Sequence, residues 1–162
     1  MTELADQLAD PGILGIDHVG LAVADLDTAI AFHTGVLGGL LTHRETNDDQ
    51  GVEEAMIGYG AGAQIQLLAA LTPASTIARF LDRNGPGLQQ LAYRVDDLDA
   101  VSERLRATGL RLLWESGRRG TAGSRVNFVH PKDAGGVLVE LVEPAVGPDV
   151  EARSRIRAQV EH

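Results

Sequence analysis

One pattern is written twice in this chain. IDHVGLAVADLD at residues 16–27 returns as LQQLAYRVDDLD at residues 88–99, an offset of 72 residues that sets His18 opposite Gln90 and Asp25-Leu26-Asp27 opposite Asp97-Leu98-Asp99. Each copy is an alternating apolar run that leads into an acidic helix start, the signature of a half-buried strand feeding an amphipathic helix. Each also closes on a late strand, AQIQLL at 63–68 and VLVELVE at 137–143, in which Gln66 and Glu140 hold matching places. A chain built this way is constrained to pack two copies of one unit against each other. Four polar residues far apart in sequence, His18, Gln66, Gln90 and Glu140, can then meet in one cleft, an arrangement that suits a metal.

The predicted order of elements is βαβββ, stated twice. In the first module a strand at 16–23 precedes a helix at 26–36, ended by Leu37-Gly38-Gly39, and strands at 40–45, 52–57 and 63–68 follow. Residues 72–84 read as a linking helix, because Ile77, Ala78, Phe80 and Leu81 form an apolar stripe that Asn84-Gly85-Pro86-Gly87 breaks. The second module has a strand at 88–95, a helix at 98–108 and strands at 110–115, 125–129 and 137–142. The predicted boundaries are an N-terminal tail at 1–14, a domain at 15–145 (modules at 15–70 and 87–145), and a charged amphipathic C-terminal helix at 146–162, read as a packing or dimer-edge appendage. The fold class is α+β, with two paired modules forming a curved mixed-sheet cleft.

Composition narrows the function classes. The 162 residues can bury one sizeable core, and with only six aromatic residues that core must be mainly aliphatic. A formal charge of −9 argues against nucleic acid or an anionic membrane as partner. With no cysteine, disulfides and thiolate metal sites are excluded. The acidic N-terminus is unlike an export signal and no apolar run is long enough to span a bilayer, so a cytoplasmic location is expected.

In ordered blocks, IDHVGLAVADLD, DQGVEEAM, IQLLAALTPAS, a Gly-Pro-Gly turn, SRVNFVHPKD and GGVLVELVE, the chain resembles the vicinal oxygen chelate (glyoxalase/bleomycin-resistance-like) superfamily, most closely its methylmalonyl-CoA epimerase family. The resemblance spans about residues 16–143. It implies a cleft between paired βαβββ modules, an acyl-CoA substrate and a homodimer. It also implies a divalent metal on His18, Gln66, Gln90 and Glu140, with carboxylate bases beside it. At the third ligand position this chain has Gln89-Gln90 where the family has His-His. Before Gln50-Gly51-Val52 it has Asp49 where the family carries glutamate, which makes Glu140 and Asp49 the acid/base pair that the resemblance implies.

Chemistry supports the assignment unevenly. Glu140 lies in an apolar run, where an unpaired carboxylate is costly. Gln66 and Gln90 fit equally well as buried amides satisfying each other. One imidazole, two amide oxygens and one carboxylate make a hard, weak ligand set that favours Co²⁺, Mn²⁺ or Mg²⁺ over Zn²⁺, held at low occupancy. Gln50, Ser124 and Arg125 are candidate substrate contacts, the last two within the glycine- and arginine-rich segment GRRGTAGSR at 117–125, where Arg118 and Arg119 can also meet phosphates. His33, His43 and His130 have no partner pattern and read as structural or surface residues. Two alternatives stay open: a divergent enzyme of the same fold, metal-free or not, that isomerises, cyclises or eliminates in a biosynthetic pathway, and a protein that sequesters a small molecule.

Overall fold

A computed structural model describes residues 12–145; the expected N-terminal tail, apart from its last few residues, and the expected C-terminal helix lie outside the described residues. In chain order the elements are β1 (Ile13–Ala22), α1 (Leu26–Ala31), β2 (Leu40–Asn47), β3 (Val52–Gly58), β4 (Gln64–Ala70), α2 (Thr76–Asn84), β5 (Gly87–Val95), α3 (Leu98–Ala107), β6 (Arg118–Arg119), β7 (Arg125–Val129) and β8 (Val139–Glu143). The repeat is visible in the caps. Asp25 accepts a hydrogen bond from the Thr28 amide at 2.7 Å, and Asp97, its counterpart, accepts one from the Ala100 amide at 3.0 Å, so each acidic tripeptide opens a helix by satisfying a free backbone donor.

The eight strands form one mixed, curled sheet in the order β2-β3-β4-β1-β5-β8-β7-β6. In each module the first strand runs parallel to the last, β1 beside β4 and β5 beside β8, while β1 and β5 meet antiparallel at the centre and join the modules. Strand alternation then divides the residues between two faces. Outward-facing Ala55, Ile57, Leu67 and Ala69 pack with Leu26, Ala29 and Ile30 of the first helix. Val95, Val129 and Leu141 pack with Leu98 and Val101 of α3 in the same manner. The intervening residues, Glu54 and Gln66 among them, face the other way, into the concave side.

Two expectations need correction. The linking helix begins at Thr76 rather than 72, since the Ser75 hydroxyl caps it by accepting from the Ala78 amide at 3.0 Å. The predicted strand at 110–115 is reduced to a single bridge, Leu112 to Val129. Two backbone bonds remain, Leu113 N to Phe128 O and His130 N to Arg111 O, both 2.8 Å, and at Trp114 the Asn127 side chain takes over: its Oδ1 accepts from the Trp114 amide at 3.3 Å and its Nδ2 donates to the Trp114 carbonyl at 3.0 Å. The chain is turned off the sheet, and Trp114 meets Phe128 edge-on with ring centroids 5.4 Å apart. The expected first helix at 26–36 is continuous but widens into a π-helical turn over Phe32–Val36.

Candidate active site

Register brings the four duplicated polar residues together. Gly20 of β1 pairs with Gln66 on one side and Gln90 on the other, while Ala92 of β5 pairs with His18 on one side and Glu140 on the other. Gly20 and Ala92 are themselves equivalent positions of the repeat. Each polar pair is thus carried on strands flanking a small residue, which leaves room for the longer side chains to converge above it. A Cβ on Gly20 would lie 2.4 Å from Gln90 Cγ, so only glycine accommodates that side chain as placed.

All four are buried, between 3% and 8% exposed. Gln90 Nε2 donates to Glu140 Oε2 at 2.6 Å and to Gln66 Oε1 at 2.9 Å, and lies 3.3 Å from His18 Nε2. His18 Nε2 is 3.0 Å from Glu140 Oε2, while Nδ1 donates to Asp17 Oδ2 at 2.7 Å. Asp17 is held from the far side by Arg94 Nε at 2.9 Å. Burial pulls the His18 pKa down, but the hydrogen bonds and charges of Asp17 and Glu140 outweigh it and lift the value to about 9. His18 is thus held at both ring nitrogens by carboxyl groups, Asp17 on Nδ1 and Glu140 on Nε2.

The same atoms suit a divalent cation. Asp17 fixes the ring through Nδ1 and turns Nε2 into the site, the usual support for a metal-bound histidine. Gln66 Oε1 and Glu140 Oε2 already converge, and a half-turn of the Gln90 amide, which exchanges its oxygen and nitrogen, would add a fourth donor. Among the described residues no three histidine, cysteine, aspartate or glutamate side chains form a metal-binding group, because two of the four members here are carboxamides. Oxygen-rich sets of this kind favour hard ions.

A further carboxylate completes the site, and it was missed in the sequence. Glu54 of β3 is 2% exposed, and its Oε2 accepts from Gln66 Nε2 at 3.0 Å while its Oε1 accepts from the Thr121 hydroxyl at 2.8 Å. Burial raises its pKa; the Thr121 hydrogen bond opposes that rise, and the neighbouring Glu45 and Glu140 add to it, to about 7. The available signal was the alternation of VEEAM, which turns the second glutamate to the same face as Val52 and Met56. Hydrogen bonds connect Glu54, Gln66, Gln90 and Glu140 in series along the floor of a cavity of about 670 Å³.

The remaining candidates scatter. Asp49 and Gln50 line that cavity from the turn between β2 and β3, where Asp49 is exposed. Arg118 and Arg119 line its other wall, and the Arg118 guanidinium lies 4.5 Å above the Trp114 ring. Ser124 lines a second cavity, of about 400 Å³, behind the Thr121–Gly123 turn. Arg125 is committed to Asp99 and Glu143.

The comparisons agree with this architecture. Residues 17–128 match the model of the glyoxalase/bleomycin resistance protein/dioxygenase superfamily. The crystal structure of methylmalonyl-CoA epimerase from Mycobacterium tuberculosis superposes with a TM-score of 0.83 at 59% identity, over 90% of this chain and 96% of that one. A methylmalonyl-CoA epimerase in complex with methylmalonyl-CoA and NH4+ gives 0.79 at 39% identity, over 83% and 96%. An ethylmalonyl-CoA/methylmalonyl-CoA epimerase of Cereibacter sphaeroides is 37% identical over 128 residues, 78% of this chain and 95% of the relative. With its duplicated sheet, its concave site and these matches, the chain belongs to the glyoxalase/bleomycin resistance protein/dioxygenase superfamily.

Proposed function

We propose that the chain is an epimerase that interconverts the C2 epimers of methylmalonyl-CoA, or of a close 2-substituted malonyl-CoA, by metal-assisted proton transfer through an enolate. The observation that carries this reading is the pair of buried carboxylates, Glu54 and Glu140, on the floor of one cavity and joined by the Gln66-Gln90 amides. Inverting a carbon acid requires a proton to leave one face of a planar enolate and another to arrive on the opposite face, and two acid/base groups from opposite modules suit that task. In this role Glu54 is a better candidate than Asp49: it is buried and hydrogen-bonded within the site, and its carboxyl is poised near neutrality. Glu140 is the second group.

Removing the proton beside a thioester places negative charge on the thioester oxygen. A divalent ion held by His18, Gln66, Gln90 and Glu140 would supply Lewis acidity there. The residues themselves hold the geometry: Asp17 and Arg94 orient His18, Thr121 and Gln66 orient Glu54, and apolar Val52, Leu68, Ile77 and Phe128 limit water along the cavity wall. Arg118 and Arg119 are positioned to meet the phosphates of coenzyme A, with Gln50 at the opposite lip. Similarity to epimerases of known substrate supports the choice of acyl group.

Incubation of a single C2 epimer in deuterated buffer, with C2 exchange and epimer ratio followed in parallel, tests the reading. The parent should exchange and equilibrate, and Glu54→Gln and Glu140→Gln should each lose about 10²-fold or more in kcat. Full activity in Glu54→Gln together with loss in Asp49→Asn would return the second role to Asp49.

A further inference from the structure

The tandem glutamines of β5 leave one side chain that the proposed reaction does not use. Gln90 points into the cleft, so strict alternation would send Gln89 to the opposite face. A bulge prevents this. Gly20 and Leu21 of β1 pair with Gln90 and Leu88, so the register slips by one residue and Gln89 is left without a partner on β1. Pairing with β8 begins only at Leu91, whose amide donates to the Leu138 carbonyl at 3.0 Å. The extra residue is re-aimed, and Gln89 lines the same cavity as Gln90, Glu54 and Glu140. Its Oε1 is buried and accepts no hydrogen bond among the described residues, whereas the side-chain amides of Gln66 and Gln90 are bonded to their neighbours. A buried acceptor without a donor is costly, and an apolar side chain at this place would avoid the cost. The unmet acceptor faces the space that a ligand would fill.

We propose that Gln89 Oε1 accepts a hydrogen bond from the pantetheine amide N–H nearest the thioester, and so selects coenzyme A thioesters and sets how deeply the acyl group enters. This rests on the epimerase reading. The substrate's own chemistry singles out that group. A methylmalonyl unit presents an ionised carboxylate and a thioester carbonyl, both acceptors, and neither can satisfy an amide oxygen. The first donor met on leaving the reacting carbon is the cysteamine N–H, beyond the thioester carbonyl, the sulfur and two methylenes. The chain repeats that order: Gln90, bonded to Glu140 at the proposed reaction centre, is followed along β5 by Gln89, with adjacent Cα atoms about 3.8 Å apart. A hydrogen bond at this point would hold the arm in register, so that the carbon to be deprotonated stays between its acid/base groups.

The test compares methylmalonyl-CoA with an analogue in which the cysteamine amide is an ester, an oxygen replacing the N–H, for the parent, Gln89→Met and Gln89→Leu. C2 exchange in deuterated buffer gives kcat/KM, and thermal melting shows that each variant is folded. Methionine and leucine remove the acceptor while keeping an apolar stem. The parent should lose about tenfold in kcat/KM on the ester. Each variant should lose about tenfold on methylmalonyl-CoA and treat the two substrates within about twofold of each other. The weaker carbonyl of the ester affects all three proteins alike, so the difference between parent and variant isolates the N–H. A parent that handles both substrates within about twofold, or a folded variant that keeps the parent's preference, would overturn the proposal. The parent comparison needs no substitution and can refute it alone. A parent that exchanges no C2 proton of methylmalonyl-CoA would instead overturn the functional reading, and this contact with it.

Discussion

Substituting Gly20 by alanine probes the packing rule on which the site rests. The new methyl group would sit 2.4 Å from Gln90 Cγ, 3.1 Å from Cδ and 3.3 Å from Nε2. Nonbonded carbons rest about 3.5–4.0 Å apart, so the stem of Gln90 must withdraw by more than about 1 Å. It cannot do so freely, because its Nε2 is tied at 2.6 Å to Glu140 and at 2.9 Å to Gln66, and β5 is a central strand. Overpacking of this degree costs about 1–3 kcal/mol, and a weakened hydrogen bond to the buried Glu140 adds about 1 kcal/mol. A total of about 2–4 kcal/mol corresponds to a fall in Tm of about 5–12 °C for a chain of this size. Thermal melting with a chelator present measures the packing effect alone, and a Co²⁺ titration of the same variant should show weaker binding than the parent. Ala92→Gly at the equivalent place in the other module opens space instead of filling it, and should cost only about 1 kcal/mol. A Gly20→Ala protein that melts within about 1 °C of the parent and binds Co²⁺ equally well would refute the claim that this glycine makes room for Gln90.

Other expectations follow from the same geometry. In the metal-free protein, Glu54, raised by burial to about 7 from 4.5, holds its proton more tightly folded than unfolded; that contribution is complete below about pH 4.5 and lost as pH rises through 7, so urea unfolding should show Glu54→Gln gaining on the order of 1–3 kcal/mol on the parent between pH 5 and pH 8.5. Equal pH slopes for the two proteins would contradict it. Thr121→Val removes the hydroxyl shared by Glu54 and Gln66 and should destabilise by about 1–3 kcal/mol in denaturant titration. Gln90→His should tighten Co²⁺ binding by about tenfold or more in a calorimetric titration, since an imidazole replaces an amide oxygen; unchanged affinity would remove Gln90 from the ligand set. Arg119→Ala should raise KM for the coenzyme A thioester, more at low salt, while leaving a thioester without the nucleotide unaffected.

The duplication, the βαβββ order and the paired caps at Asp25 and Asp97 could be read directly from the chain, because each depends on local periodicity and on residues three apart. His18, Gln66, Gln90 and Glu140 were also legible as a set, since equivalent positions in a repeat must face one another if the copies pack symmetrically. The failures have physical causes as well. At 110–115 the apolar run favours a strand, but the pairing stops after Leu113, where Asn127, distant in sequence, binds both backbone groups of Trp114 through its side chain.

Glu54 differs in kind from the four duplicated residues. Its neighbour Glu53 is exposed enough to pair with Arg44, and composition alone cannot tell the two apart; only the pairing of β3 with β4 and the approach of Thr121 from the other module show which of them is enclosed. Likewise, only the pairing of β2 with β3 sets Glu45 opposite Glu54. The sequence by itself determined the repeat, its helix starts and the residues that symmetry brings to the centre, all consequences of short-range pattern. Tertiary structure alone decided which carboxylate is desolvated and what lies behind it, because burial and strand register are properties of the packed sheet and not of any segment within it.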